Sequence, residues 1–299
     1  MKILVTGAHG FIGTHLTHAL QQANHTVVPT DIKGDTIVDA TNYRHVIDAT
    51  ANIDCVYHLA AEVGRKNGEH CYERLWKTNV IGTRNILEAQ RVHRFDLVFI
   101  SSSEVYGDRP QRILHEDMMV DSPTTHFMND YALSKWTGEL ICNRFREQFG
   151  NRILVIRPFN VYGEGEEYSP YRGVVSIFVG NALAGIPLEV YTKHTRSFIH
   201  VQDFVETLGQ CCMEMRNEAY SMAVNVGGTE PVTMIELAAK VALQVPGTII
   251  CEQEPEPFNV LHKCPDVTLA SKLFRHNPQI TLTEGVSRVV GEAIKCVRS

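Results

Sequence analysis

Short apolar runs alternate with amphipathic stretches through the first half of the chain. The apolar runs have the length of buried strands, and the stretches between them repeat their apolar positions with the period of a helix. Strands are predicted at 2–6, 26–30, 54–59, 96–101 and 152–157, and helices at 11–23, 74–92 and 131–149. Nearly continuous apolar strands separated by helices are typical of a parallel sheet covered on both faces. The pattern therefore predicts an α/β fold.

The second half of the chain has a less regular pattern. Gly, Pro and Tyr concentrate at 158–173, which predicts an ordered loop facing a site, and a terminal helix is predicted at 283–297. No flexible linker separates the two halves. We expect one domain at 1–158 and a smaller one at 159–299, with segments near 197–227 returning to the first domain's sheet.

Composition excludes several classes of protein. The chain has 299 residues, of which 44% are hydrophobic and 21% charged, and its net charge of −6 does not suit a nucleic-acid partner. It shows neither a bilayer-spanning apolar run nor a signal peptide, so we expect a cytoplasmic protein without a membrane partner. The eight cysteines form no CxxC pair and the 14 histidines no HExxH motif, so no metal site is predicted.

Three glycines, Gly7, Gly10 and Gly13, follow the first predicted strand and open the first predicted helix. Such glycines let the backbone turn tightly and approach a pyrophosphate, which the helix N-terminus then attracts. Asp31 ends the second strand, 18 residues after Gly13. A carboxylate there binds the ribose hydroxyls of an adenosine and repels a 2′-phosphate. NAD is therefore the predicted cofactor, and a glycine turn without a ligand is the alternative.

Tyr131 and Lys135 lie four residues apart on a predicted helix and so share one face. An ammonium beside a phenol lowers the pKa of the phenol from about 10, and the phenolate can then take a proton from a substrate hydroxyl. Ser102 and Glu104 follow the strand at 96–101, where active-site groups of such sheets are expected. The serine can hold the reacting oxygen and the glutamate can act as a second base. Capping of the strand end is the structural alternative for the serines.

Together these motifs resemble the extended short-chain dehydrogenases/reductases of the NAD-dependent sugar-nucleotide epimerase/dehydratase family. The resemblance extends over essentially the whole chain, through the glycine motif, the Ser102/Tyr131/Lys135 triad and the segments 157–163, 196–203, 225–227 and 265–267. It implies a Rossmann-type doubly wound parallel sheet with a smaller C-terminal α/β substrate-binding domain. It also implies NAD as cofactor and a nucleotide-diphosphate sugar as substrate. Because family members commonly dimerise through two long helices, here 74–92 and 131–149, a homodimer is expected.

The resemblance also implies roles for single residues. Tyr131 would remove the proton of the sugar 4-hydroxyl while hydride leaves C4 for NAD⁺. Ser102 would contact the same hydroxyl and Lys135 the nicotinamide ribose. Asn160 would bind the diphosphate, and Arg196 would pair with its phosphates.

The predicted site residues fall into three sets. The catalytic set is Ser102, Ser103, Glu104, Tyr131 and Lys135. The cofactor-binding set is Gly7, His9, Gly10, Phe11, Ile12, Gly13, Asp31, Ile32, Asp39, Ala40, Leu59, Ala60, Ala61, Asn79, Ser101, Tyr131, Lys135 and Pro158. The substrate-binding set is Glu62, Ser102, Ser103, Glu104, Tyr131, Asn160, Tyr171, Arg172, Val174 and Arg196. Asp39 has an ordinary surface role as its alternative, and Asn79 a purely structural one.

Family members share a 4-keto intermediate and then follow different reactions. A 4,6-dehydratase needs a base for the C5 proton, a role that suits Glu104, but Ser103 stands where many dehydratases carry an acidic residue. We rank a 4,6-dehydratase first, a UDP-glucuronic acid decarboxylase second and a 4-epimerase third. A non-catalytic NAD-binding protein is the remote alternative, because such proteins typically lack the tyrosine or the lysine.

Overall fold

The computed structural model of the chain describes residues 1–64, 70–119, 127–169, 172–215, 223–254 and 260–298. Its strands are β1 Lys2–Thr6, β2 Thr26–Thr30, β3 Cys55–His58, β4 Asp96–Ile100, β5 Ile113–Leu114, β6 Ile153–Pro158, β7 Val161–Tyr162, β8 Leu188–Tyr191, β9 Thr195–Ser197, β10 Ile199–His200, β11 Ala223–Val226, β12 Pro231–Thr233, β13 Ile250–Gln253 and β14 His262–Pro265. Its α-helices are α1 Phe11–Gln22, α2 Tyr43–Ala49, α3 Tyr72–Trp76, α4 Thr83–His93, α5 Asp130–Phe149, α6 Val174–Leu183, α7 Val201–Glu214, α8 Met234–Gln244, α9 Thr268–Phe274 and α10 Leu282–Arg298.

Six strands form one parallel sheet in the order β11-β6-β4-β3-β1-β2. Neighbouring side chains of β1 enter different cores. Ile3 packs with Phe204 of α7 on one face, whereas Leu4 packs with Phe145 of α5 on the other. Helices thus cover both faces, as a parallel sheet requires. The predicted α/β fold of the Rossmann type is confirmed.

A second core lies in the C-terminal part of the chain. It joins helices α6, α8 and α10 to β8, with Phe178, Val190, Leu237 and Val289 among its buried side chains. The strand β11 belongs to the large sheet, where it pairs with β6. A division of the chain into domains at residue 158 stays a prediction.

The helix predicted at 74–92 is interrupted. A π-helical turn at Lys77–Gly82 separates α3 from α4. Within it, the Asn79 carbonyl accepts a hydrogen bond of 2.6 Å from the Thr83 hydroxyl. Such turns are frequent at functional sites, because they redirect one side chain without ending the helix. Among the described residues, no helix is long and apolar enough to span a membrane.

Helix α5 begins and packs where the site will form. Asn129 caps its N-terminus, accepting a hydrogen bond of 2.8 Å from the Ala132 amide. Further along, α5 approaches β4 so closely that a Cβ on Gly138 would lie 2.7 Å from Cζ of Phe99. The small residue therefore sets the distance between this helix and the sheet.

We expect Gly138→Ala to lower the free energy of unfolding by about 1–2 kcal/mol, because the added methyl group overpacks the buried Phe99 ring. Gly209 in α7 provides the matched control, since a Cβ there has no neighbour within 4 Å. Gly209→Ala should raise the free energy of unfolding by about 0.5–1 kcal/mol through helix propensity. Urea unfolding of both variants measures the difference. Equal changes in the free energy of unfolding would show that a methyl group fits between α5 and Phe99.

Candidate active site

The glycine motif forms a close backbone turn between β1 and α1. Gly7 has a φ of +69°, and a Cβ on Gly13 would lie 2.1 Å from the Gly7 carbonyl oxygen. The N-cap of α1 is Gly10, which has no side chain to cap the helix, and the first turn carries no acidic residue. The helix therefore presents its positive end without a neutralising carboxylate. This arrangement fits the pyrophosphate of a dinucleotide.

Asp31 lies where β2 ends, with its carboxylate held by backbone amides. One oxygen accepts from the His9 amide at 3.0 Å and the other from the Lys33 amide at 3.3 Å. Ile32 beside it is 63% exposed. The fixed carboxylate suits the two hydroxyls of an adenosine ribose, so the residues present fit NAD.

The other predicted cofactor residues lie along the same edge of the sheet. Asp39 accepts a bond of 2.8 Å from the Thr41 amide, and the Ala40 carbonyl accepts one of 2.9 Å from Asn85. The Ala60 amide donates to the Thr6 hydroxyl at 3.2 Å. These bonds order the loops that follow β2 and β3. Direct contact with the cofactor stays a prediction for these residues and for Leu59, Ala61 and Pro158.

Asn79 is 2% exposed, and its side-chain amide binds protein groups. Its Oδ1 accepts from the Glu62 amide at 2.9 Å, while Nδ2 donates to the Glu62 carbonyl and the Ser134 hydroxyl, both at 3.0 Å. Asn79 thus ties the segment after β3 to helix α5. The structure gives it the structural role that the sequence left open, and cofactor contact stays a prediction.

The predicted triad comes together at the end of β4. Ser102 lies close enough to the Tyr131 phenol to lower the pKa of that group by hydrogen bonding, and Tyr131 is 9% exposed. Against that effect, burial and the charge on Glu104 raise the pKa of Tyr131 to about 12. Lys135 points its ammonium at the Ile100 carbonyl, 2.8 Å away. In this structure burial outweighs any lowering of the phenol's pKa, and the effect of Lys135 on that pKa stays a prediction.

Glu104 lies in a charged cluster beside Tyr131. Its carboxylate forms an ion pair with Lys263 of β14, and its second oxygen accepts from Asn129 at 3.4 Å. Burial alone would raise the pKa of Glu104, but Lys263, Arg196 and Asn129 together hold it below its usual value. These neighbours therefore favour the ionised form of the glutamate, next to Tyr131.

Lys263 and Asn129 were missed by the sequence analysis. Lys263 lies two residues before the 265–267 segment that carried part of the family resemblance, and that proximity was the available signal. Its register in β14 places it directly beside Arg196 of β9. Paired residues of neighbouring strands point to the same face, so the sheet brings two cations to Glu104.

The predicted substrate residues occupy several elements around this cluster. Arg196 donates to the carbonyls of Leu261 and Val260, at 2.9 and 2.5 Å. Asn160 has a φ of +40° and donates to the Ser197 carbonyl at 2.7 Å. Both side chains are thus oriented by backbone groups. Their contacts with a diphosphate stay predictions.

The remaining candidates lie at the rim or inside the turn after β4. Glu62 forms an ion pair of 2.8 Å with Arg74, and Val174 begins α6 next to the exposed Arg172. Ser103 is 5% exposed and opens the 3₁₀ turn Ser103–Tyr106. Tyr171, also predicted to bind substrate, lies outside the described residues. Among the residues that the structure describes, no cluster of His, Cys, Asp or Glu could hold a metal ion.

Comparison with known proteins identifies the family of the chain. The model described as "NAD dependent epimerase/dehydratase family" matches residues 3–227. The chain belongs to this family. Its NAD dependence confirms the predicted cofactor, and the chain is an enzyme of this class with its exact reaction still open.

The chain is similar to curated decarboxylases over nearly all of its length. UDP-N-acetyl-alpha-D-glucosaminuronate decarboxylase of Bacillus cytotoxicus is 28% identical, over 97% of this chain and 96% of that protein. UDP-glucuronic acid decarboxylase 1 of Danio rerio is 30% identical, over 97% of this chain and 72% of that protein. A solved structure of MoeE5 in complex with UDP-glucuronic acid and NAD is 25% identical, with a TM-score of 0.85, over 99% of this chain and all of that one.

We expect Asp31→Ala to weaken NAD binding about 10- to 100-fold, because the ribose would lose hydrogen bonds to a charged carboxylate. Discrimination against NADP should fall as well, since the 2′-phosphate would no longer meet that charge. Isothermal titration calorimetry measures both affinities. Asp35→Ala, an exposed carboxylate in the same loop, is the control. Equal losses in the two variants would contradict the role of Asp31.

Proposed function

We propose that the protein removes the carboxyl group of a UDP-linked uronic acid through a 4-keto intermediate. Two curated relatives are decarboxylases of such substrates, and MoeE5 was solved with UDP-glucuronic acid. The decarboxylase alternative of the sequence analysis is therefore better supported than its first choice, the 4,6-dehydratase. The ion pair between Glu104 and Lys263 is the structural observation that carries the proposal.

A dehydratase would need two groups that this site does not favour. It needs a base strong enough to take the C5 proton, whereas the ion pair with Lys263 lowers the pKa of Glu104 and weakens it as a base. It also needs an acid for the departing 6-hydroxyl, and the neighbouring side chain is Ser103, a poor acid. Decarboxylation needs neither group, because the bond to the carboxylate supplies the electrons.

The residues of the site suit the steps of decarboxylation. Bound NAD⁺ supplies a reversible hydride acceptor for C4. Tyr131 takes the proton of the 4-hydroxyl in its phenolate form, and Ser102 holds the same oxygen. With a pKa of about 12 the phenolate is the minor form at neutral pH, but it is a strong base. Once C4 is a ketone, the bond from C5 to the carboxylate can break, with its electron pair passing to the C4 oxygen. Tyr131 then keeps its proton, because burial raises the pKa of the phenol to about 12, and donates a hydrogen bond to that oxygen.

Lys263 and Arg196 both act on the Glu104 carboxylate, and Asp108 acts on Arg196 in turn. Because Arg196 is predicted to meet the diphosphate, Lys263 is the cation that would face a substrate carboxylate. A neutral hexose has no carboxylate that could pair with this cation. The cluster therefore favours an acidic sugar over the glucose type of substrate.

We expect the purified protein to convert UDP-glucuronic acid with loss of carbon dioxide, detected by mass spectrometry. In D₂O the product should carry one deuterium at C5, because a solvent-derived proton replaces the carboxylate there. UDP-glucose, dTDP-glucose and GDP-mannose serve as the comparison substrates. Loss of water from any of them would establish a dehydratase, and a product of unchanged mass would establish an epimerase.

Two variants locate the activity in this site. Tyr131→Phe should lower the rate by at least about 100-fold, because proton abstraction loses its base. Lys263→Met should lower the turnover of UDP-glucuronic acid, because the substrate carboxylate would lose a cation. The affinity for UDP-glucose should change less. Full activity of Tyr131→Phe would exclude this mechanism, whereas absence of turnover in the unchanged protein would favour the non-catalytic alternative.

We also propose that the protein is a homodimer through α4 and α5. Among the apolar residues of the helices predicted at 74–92 and 131–149, Leu75 is buried in the monomer, but Leu140 on α5 is 48% exposed. Val92 on α4 is 61% exposed. Exposed apolar side chains on both helices support an interface there.

Leu140→Asp should produce a monomer at micromolar concentration in sedimentation, because a charge would enter the apolar interface. Leu243→Asp on α8 is the matched control, since Leu243 is 80% exposed on a different helix. A monomeric unchanged protein would refute the dimer.

A further inference from the structure

Glu139 and Arg157 form a buried ion pair beneath the triad, and each is 3% exposed. The pair is bidentate, with Nε at 3.0 Å from one carboxylate oxygen and Nη2 at 2.7 Å from the other. Such geometry fixes the orientation of both side chains. Neither residue belongs to the predicted site, and the chemistry described above uses neither.

Further bonds connect this pair to the strand that carries Ser102. The preceding residue, Ser101, donates from its hydroxyl to Glu139 at 2.5 Å. On the other side, Arg157 donates to the Tyr106 hydroxyl at 2.9 Å. Glu139 therefore links α5 to the end of β4, and Arg157 links it to β6. The two chain segments that bear Ser102 and Tyr131 meet at this carboxylate.

Glu139 also lies one helical turn from Lys135 on α5, so the two side chains share a face. Burial lowers the pKa of Lys135 to about 8, and Cys142 and Glu139 oppose that effect. Burial raises the pKa of the Cys142 thiol, which keeps it neutral. From β3, His58 faces Lys135, but burial lowers the pKa of this histidine to about 3, so it is neutral too. Of these groups, Glu139 is the one that carries a negative charge.

We propose that Glu139, oriented by Arg157 and Ser101, is a positioning residue that holds α5 against the end of β4 and keeps the Lys135 ammonium charged during turnover. Tyr131 thereby stays beside Ser102 while a cation lies one helical turn away. The proposal requires only a reaction that begins with proton abstraction by Tyr131. It therefore holds whether the product is decarboxylated, dehydrated or epimerised.

The first test measures the titration of Lys135 directly, without substrate. Full-length protein labelled with ¹³C-lysine gives the pH midpoint by NMR, and the Lys135→Arg variant assigns the signal. Glu139→Gln should move the midpoint to lower pH by about one pH unit, because an opposite charge close to the ammonium is removed. An unchanged midpoint would overturn the proposal.

A second variant covers the case in which Glu139→Gln fails to fold, since it leaves Arg157 charged and buried without a partner. The double variant Glu139→Gln/Arg157→Gln removes both charges. Because Arg157 offsets part of the negative charge of Glu139, the midpoint should again move to lower pH, but by less than in Glu139→Gln. If the double variant titrates like the unchanged protein, Glu139 has a structural role alone.

The kinetic test follows from the expected shift of the Lys135 midpoint to lower pH. In both variants, kcat should fall at least about tenfold at alkaline pH, and its alkaline limb should shift to lower pH, while KM changes little. Gln90→Leu is the matched control, because Gln90 lies on α4 away from the triad and is 1% exposed. Its side-chain amide donates hydrogen bonds to the carbonyls of Phe95 and Arg152, at 2.8 and 2.9 Å. It should lose stability with an unshifted pH profile. A variant of Glu139 that behaves like this control would overturn the proposal.

Discussion

The pairing of Glu139 with Arg157 constrains how the rest of the site is built. Two opposite charges, each 3% exposed, are stable in the interior only while they remain together, because either one alone would lose its hydration without compensation. The pair therefore holds α5 to β6, and the bond from Ser101 adds the end of β4. Three elements are thereby held in one geometry immediately beneath Ser102 and Tyr131.

Above this pair, the charges of two side chains, Glu104 and Lys135, are controlled in different ways. Glu104 stays ionised because Lys263 and Arg196 outweigh the effect of its burial. Lys135, by contrast, has its pKa lowered to about 8 by burial, so its charge depends on neighbours near physiological pH. The first group supplies a fixed charge and the second a tunable one. Such a pairing suits chemistry in which a proton leaves a hydroxyl and later returns.

The family resemblance and the geometry narrow the reaction from different directions. Membership of the NAD-dependent epimerase/dehydratase family accounts for the glycine turn, Asp31 and the triad, which all its reactions share. Those common features cannot distinguish dehydration from decarboxylation. The proposal of decarboxylation rests on residues of β9 and β14, where Arg196 and Lys263 lie side by side and act on Glu104. The uronic-acid decarboxylases among the chain's relatives support it as well.

The sequence by itself determined the parts of this protein that depend on local pattern. Apolar runs and helical periods located the sheet, the glycine spacing located the cofactor turn, and the four-residue spacing put Tyr131 and Lys135 on one face. Only the tertiary structure decided where their charges point. Lys135 turns to the Ile100 carbonyl, and Lys263 contacts Glu104, which lies 159 residues earlier in the chain. Burial and long-range pairing set a pKa, and neither is encoded in the spacing of neighbouring residues.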